Sequence, residues 1–252
     1  MQPTARAPRP FRPAALALAA LLVAVGCAQR PAPPASLDND PLEEQNRSSH
    51  QLNKALDSNL YGPVARAYGA AVPEPARNGV TNLVNHSRLP HGAIQYALQG
   101  KPVKVLENTM RFAINTVFGF GGLLDPAAEM GLPYRETNVD ETLHTWGVPT
   151  GGYWELPVGG PGTQRDWIGY GIDTVVDPAF YLTGGATYVI AGLRGVDLLQ
   201  DRYKLDPALQ ALLYESADSY TAQRISYLQN MTARLQGGET ALDTLEDPYA
   251  DQ

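Results

Sequence analysis

From Asp40 onward, apolar residues recur at helical intervals more than at alternating ones. Leu52, Ala55, Leu56 and Leu60 share a face opposite Asn53, Lys54 and Asp57, which predicts an amphipathic helix. Pro63 is expected to kink or restart it. Val64 to Val72 stays apolar until Pro73 and Pro75. Glu74 to Asn85 reads as a short polar helix with Pro75 in its first turn. The clearest helix runs from Pro102 to Phe118. Val103, Leu106, Met110, Ile114 and Val117 form its stripe, and Gly119 stops it. Lys104, Glu107 and Arg111 lie within it, so it is not a lipid-embedded span. Gly119, Gly121 and Gly122 read as a flexible hinge. Gly131 to Gly162 is rich in glycine and proline, carries Trp146, Tyr153 and Trp154, and lacks periodicity. A long irregular stretch of this kind is expected to be functional or a lid. Asp166 to Ile172 opens another helix. Phe180 to Leu199 is almost uncharged, so it is either a buried segment or one that touches lipid. Asp206-Pro207 is expected to cap a last long helix carrying Leu209, Leu213, Ala217, Tyr220, Leu228, Met231 and Leu235. Strand patterns are few and no repeat is present. The body is predicted to be mainly α.

Ahead of the body lies a different pattern. Arg6, Arg9 and Arg12 precede an apolar stretch from Ala14 to Val25, and Gly26-Cys27 follows. A basic start, a short apolar core and a small residue at the break make a secretory signal. The stretch is too short to span a bilayer. The string LLVAVGC, Leu21 to Cys27, resembles a lipobox, with Ala24 where leucine is usual. It places lipidation on Cys27, the sole cysteine of the chain. The alternative is a soluble exported protein cut nearby, with a free thiol. Ala28 is not the aspartate that retains lipoproteins at the inner membrane, so the outer membrane is expected. The expected organisation is a signal peptide at 1–26, a proline-rich tether at 27–39, a helical domain at 40–236 and a loose acidic tail at 237–252.

Composition narrows the function. The net charge is -7, which disfavours nucleic acid as a partner. A single cysteine leaves no disulfide framework and no CxxC site. There is no G-x-S-x-G elbow and no H-E-x-x-H motif, so no catalytic residue, metal or cofactor is expected and the chain reads as a non-enzyme. His86 and His91 flank a proline and are poor candidates for a shared metal. The GFGG run follows a helix, where a dinucleotide loop would follow a strand. Asp173 with Asp177, and the glycines of Gly159 to Gly162, are weak candidates for an acid pair and a phosphate cradle. The aromatic residues are 13 Tyr and 3 Trp against 5 Phe, a balance that suits a boundary between apolar and wet surroundings.

Five blocks in order then carry a resemblance. Asp40 to Arg47 reads DPLEEQNR. Val72 to Gly79 reads VPEPARNG and leads to Asn82 and Asn85. Gln99-Gly100 precedes the clear helix. Arg111 to Asp125 reads RFAINTVFGFGGLLD. Thr142 to Pro161 reads TLHTWGVPTGGYWELPVGGP, and Arg165-Asp166 and Asp177-Pro178 continue it. From Asp40 to about Tyr227 the chain resembles the MlaA/VacJ family of outer-membrane lipoproteins. The resemblance implies a ring of amphipathic helices in the inner leaflet of the outer membrane, around a central amphipathic channel. It implies removal of mislocalised phospholipid from the outer leaflet and its transfer to a periplasmic shuttle protein. A trimeric porin is the implied neighbour. A structural, porin-associated lipoprotein that moves no lipid is the alternative. The candidate lipid-path or membrane-contact residues are Asn46, Arg47, Leu52, Arg111, Asn115, Gly119, Gly121, Gly122, Trp146 and Tyr153. Gln45 departs from the family, which usually has phenylalanine there. Asn46 and Arg47 could also brace neighbouring loops. Arg111 either meets a lipid phosphate or pairs with an acid.

Overall fold

The computed structural model describes residues 39–179 and 187–236. The signal, Cys27, nearly all of the tether and the acidic tail lie outside them, as does Phe180 to Ala186.

Helix α1 spans Glu43–Leu56, with Glu43 and Glu44 in its first turn and Lys54 in its last, as the helix dipole favours. It runs through a π turn at Asp57–Tyr61 into α2, Gly62–Ala71. Pro63 therefore does not break the chain. It sits in the first turn of α2, directly after the wide π turn, where a missing N–H costs least. The helical path stops at Val72, which is extended ahead of Pro73.

Helix α3, Glu74–Leu98, has 25 residues and corrects the short helix expected to end at Asn85. It passes straight through Pro90. Packing along α4, Pro102–Val117, holds both halves in line. Gly100, at φ +70°, supports the short connection between them. The segment Gly131 to Gly162 is less irregular than expected. It contains α6, Val139–Thr145, and strand β1, Tyr153–Leu156, paired antiparallel with β2, Gly160–Thr163. The register sets Tyr153 opposite Thr163 and Leu156 opposite Gly160. A strand reading GPGT carries no apolar alternation, so the pattern could not show it. The short helix α5, Pro126–Glu129, follows the glycine turn.

Thr163 and Asp166 form a reciprocal capping box that starts α7, Gln164–Val176. Helix α8, Thr187–Lys204, packs on α2 and α3. The expected last helix is two. Asp206-Pro207 opens only the short α9, Asp206–Gln210, and a π turn at Ala211–Glu215 follows. The long helix α10, Ser219–Leu235, starts afresh after Asp218, whose carboxylate accepts from Thr221 N. An apolar cluster of Tyr153, Tyr220, Leu228 and Met231 ties the hairpin to α10.

Candidate functional site

The arrangement of polarity is inverted. Twelve apolar side chains are buried among the described residues, against twenty-three polar or charged ones. Helix α4 shows it most plainly. Its buried stripe is Asn108, Arg111 and Asn115. Its apolar stripe faces outward, with Val103 66% and Val117 70% exposed. Phe118, Phe120, Leu123, Leu124 and Met130 extend this surface beyond the helix, and Ile168, Ile172, Val175 and Val176 expose apolar positions on α7. An apolar patch of this kind on a folded protein marks an interaction surface. Among the described residues no helix is long and apolar enough to cross a membrane.

The candidate residues fall into two groups and two outliers. The first group is Asn46, Arg47 and Tyr153. Asn46 Nδ2 donates to Asp40 Oδ1 at 2.8 Å and to the Tyr153 carbonyl at 3.0 Å, and Asn46 Oδ1 accepts from Glu155 N at 2.9 Å. Arg47 pairs with Glu43 at 2.8 Å and with Asp218 at 3.0 Å, and lies over the Tyr220 ring. The Arg47 hydrogen bonds hold the Asp218 carboxyl well below the usual carboxylate range. Tyr220 and Arg224 both donate to Asp40 Oδ2. These residues brace α1, the hairpin and α10 against one another. Gln45 is exposed beside them.

The second group is Arg111, Asn115 and the glycine turn. Of the two readings of Arg111, the structure shows the ion pair. Nη2 lies 2.7 Å from Asp125 Oδ2, and Nη1 donates to the Leu132 carbonyl. Asn115 Nδ2 donates to Asp125 Oδ1 at 2.8 Å, and its Oδ1 accepts from Ala127 N at 3.1 Å. The turn beyond α4 holds three residues in succession at positive φ: Phe120, Gly121 and Gly122. A Cβ on Gly119 would lie 2.5 Å from the Leu124 carbonyl oxygen, and one on Gly122 would enter the His86 ring, whereas Gly121 faces open space. Gly119→Ala is therefore expected to lower stability by about 1–3 kcal/mol. Gly121→Ala pays only the positive-φ strain of about 1–2 kcal/mol. Denaturant midpoints of the two variants check the order.

Trp146 stands apart, donating from its indole to the Leu98 carbonyl at 3.0 Å. Leu52 is exposed on α1 and joins neither group. His86 and His91 do share α3 but meet different partners. His86 stacks on Phe112 with centroids 4.7 Å apart, and His91 Nε2 lies 2.7 Å from Asp173. Asp173 and Asp177 are not an acid pair, since Asp177 binds Arg194 at 2.7 Å. Gly159 and Gly162 lie against the Trp167 ring and leave no cradle.

The sequence reading missed a set of buried ionic links. Arg202 holds Asp57 through two hydrogen bonds of 2.6 and 2.9 Å. Burial alone would raise the Asp57 carboxyl, but Arg202 and Tyr214 keep it below its ordinary value. Arg165 Nε lies 2.6 Å from Asp140 Oδ1, and both side chains are almost wholly buried. One signal was available: Asn46, His50, Asn53 and Asp57 step by three or four along α1, a polar stripe at the spacing of a buried face.

Buried polar and ionic side chains beneath exposed apolar stripes set the described residues apart as a mainly helical protein with an outward apolar interaction surface. The comparisons give the particular family. Residues 38–234 match the MlaA lipoprotein family, and the chain belongs to it. The intermembrane phospholipid transport system lipoprotein MlaA of Shigella flexneri is 33% identical over 244 residues, covering 95% of this chain and 94% of the relative. Its counterpart in Haemophilus influenzae is 31% identical, covering 88% and 91%. A solved chain, described under the structural basis for maintenance of bacterial outer membrane lipid asymmetry, is 34% identical with a TM-score of 0.69. It is matched over 98% of its length and 78% of this one.

Proposed function

We propose that this lipoprotein, anchored through Cys27 on the periplasmic side of the outer membrane, removes mislocalised phospholipid from the outer leaflet. It passes the lipid to a periplasmic lipid-binding shuttle. The observation that carries this reading is α4, with Arg111, Asn108 and Asn115 inward and Val103, Leu106, Met110 and Val117 outward. An outward apolar face suits acyl chains of the inner leaflet. A ring of such helices encloses a polar channel through which a charged head group moves while the tails stay apolar. The escape of lipid from the wrong leaflet supplies the driving force, so the transfer step needs neither nucleotide nor covalent chemistry. The Gly119 to Gly122 turn and the neighbouring segment form the wall that moves, and a trimeric porin seats the ring in the membrane.

The test is a deletion strain carrying a reporter of outer-leaflet phospholipid, such as lipid A palmitoylation. Palmitoylation is expected to rise on deletion and to fall with the wild-type gene but not with Cys27→Ala. No rise, in a strain without a second homologue, would leave a structural, porin-associated lipoprotein.

A further inference from the structure

Three side chains from separate elements meet where α1, the hairpin and α10 join. His50 Nε2 lies 2.9 Å from Ser219 Oγ, and His50 Nδ1 lies 3.2 Å from Glu155 Oε1. His50 and Glu155 are buried, while Ser219 retains 9% exposure. Glu155 is itself held, by Tyr153 Oη at 3.3 Å on Oε2 and Asn53 Nδ2 at 3.2 Å on Oε1. A carboxylate on Nδ1 leaves the lone pair of the neutral ring at Nε2, facing the hydroxyl. Ser219 is the first residue of α10. The first-turn amides of a helix have no carbonyl within the helix to bond, and the positive end of the dipole lies there. Lys54 Nζ stands 3.5 Å from Ser219 Oγ and reaches it from partly exposed surface.

We infer that Ser219, His50 and Glu155 form an ester-cleaving site whose substrate is an acyl ester of a glycerolipid. The inference goes beyond the transport reading, and its choice of a glycerolipid as substrate rests on that reading. Ser219 Oγ attacks the ester carbonyl carbon while His50 Nε2 takes the hydroxyl proton. The Lys54 ammonium, which already reaches Ser219 Oγ, stands beside the oxyanion. The adduct collapses, the ester C–O bond breaks, and the alcohol leaves with the proton from His50. Water then attacks the acyl–serine ester, gives its proton to the same nitrogen, and releases the fatty acid. Glu155 touches no substrate; it is a positioning residue for the imidazole.

The full lipidated chain in detergent is treated with a fluorescent fluorophosphonate and mapped by peptide mass spectrometry. It is then mixed with dioleoylphosphatidylethanolamine vesicles, and free oleate is counted. Label is expected on Ser219 together with oleate release, both lost in Ser219→Ala at unchanged melting temperature. His50→Gln is expected to slow labelling by about 100-fold or more. Glu155→Gln slows it too, and Glu155→Asp recovers part of the rate, which a merely structural contact would not produce. If Ser219 takes no label, or oleate release is the same in Ser219→Ala, the inference fails and the three residues are only a strut.

Discussion

Replacing Arg165 by methionine is expected to destabilise the folded chain by about 3–5 kcal/mol, because it strands the buried Asp140 carboxylate. Arg165 also donates to the Val148 carbonyl at 2.9 Å, so one side chain joins α6, α7 and the segment between them. The loss is expected to depend on pH. Burial pushes the Asp140 carboxyl up to about 6 even with Arg165 beside it. The native state therefore holds a proton, between the ordinary carboxylate value and about 6, that the unfolded chain has released. Stability from this group falls as pH rises through that window, and the burial penalty is complete above it. Without Arg165 the window extends upward. The deficit of Arg165→Met should then be larger near about pH 7.5 than near about pH 5. Adding Asp140→Asn should recover part of it by removing the charge. Unfolding in a mild detergent at both pH values measures this. Equal deficits at the two values, with no recovery in the double variant, would show that the arginine acts through packing alone.

The same chain was legible to different depths. The helix at Pro102 was readable to within a residue of Val117, because proline in its first turn and Gly119 beyond it are local signals. Helix α3 was not, because packing along α4 outweighs the break that Pro90 encodes locally. Pro207 does stand in the first turn of α9, but Asp206 caps nothing: Leu205 holds the cap position and the Asp206 carboxylate binds Arg66 and Arg202. The long helix takes its cap from Asp218, a plain acidic residue in the sequence. Apolar periodicity located the stripes without saying which way they face. In α4 the stripe that would normally mark a core lies outside, and Arg111 within it marks the interior. The ionic links escaped for another reason. Asp57 and Arg202 are 145 positions apart, and His50 and Ser219 are 169 apart, so no spacing along the chain joins them. The family blocks mark these neighbourhoods, and the partners of Asn46, Arg111 and Asn115 within them came only from the structure.

Placing aspartate at both Val117 and Phe118 is expected to abolish membrane function while leaving the fold almost untouched. Both side chains are largely exposed, at 70% and 66%, so neither contributes much to internal packing. In a protein surrounded by water such changes fall within about 0.5 kcal/mol of neutral. Against acyl chains the arithmetic reverses. Each replacement forgoes about 1.5–3 kcal/mol of apolar burial. Each charge placed in the apolar phase adds as much as about 2.5–3.5 kcal/mol when deep, and less near the head groups. Either estimate exceeds the shift in folding stability several-fold. The doubly substituted protein should melt in detergent within a few degrees of the wild type. It should bind phospholipid vesicles at least about tenfold more weakly, since 1.4 kcal/mol already gives that factor. It should also fail to lower lipid A palmitoylation in the deletion strain. The two readouts separate the occupants of this face. Lost vesicle binding with an intact fold ties the outward stripe of α4 to lipid. Unchanged vesicle binding with lost complementation would turn the face toward a protein partner, and the polar interior would have to be explained without a leaflet around it.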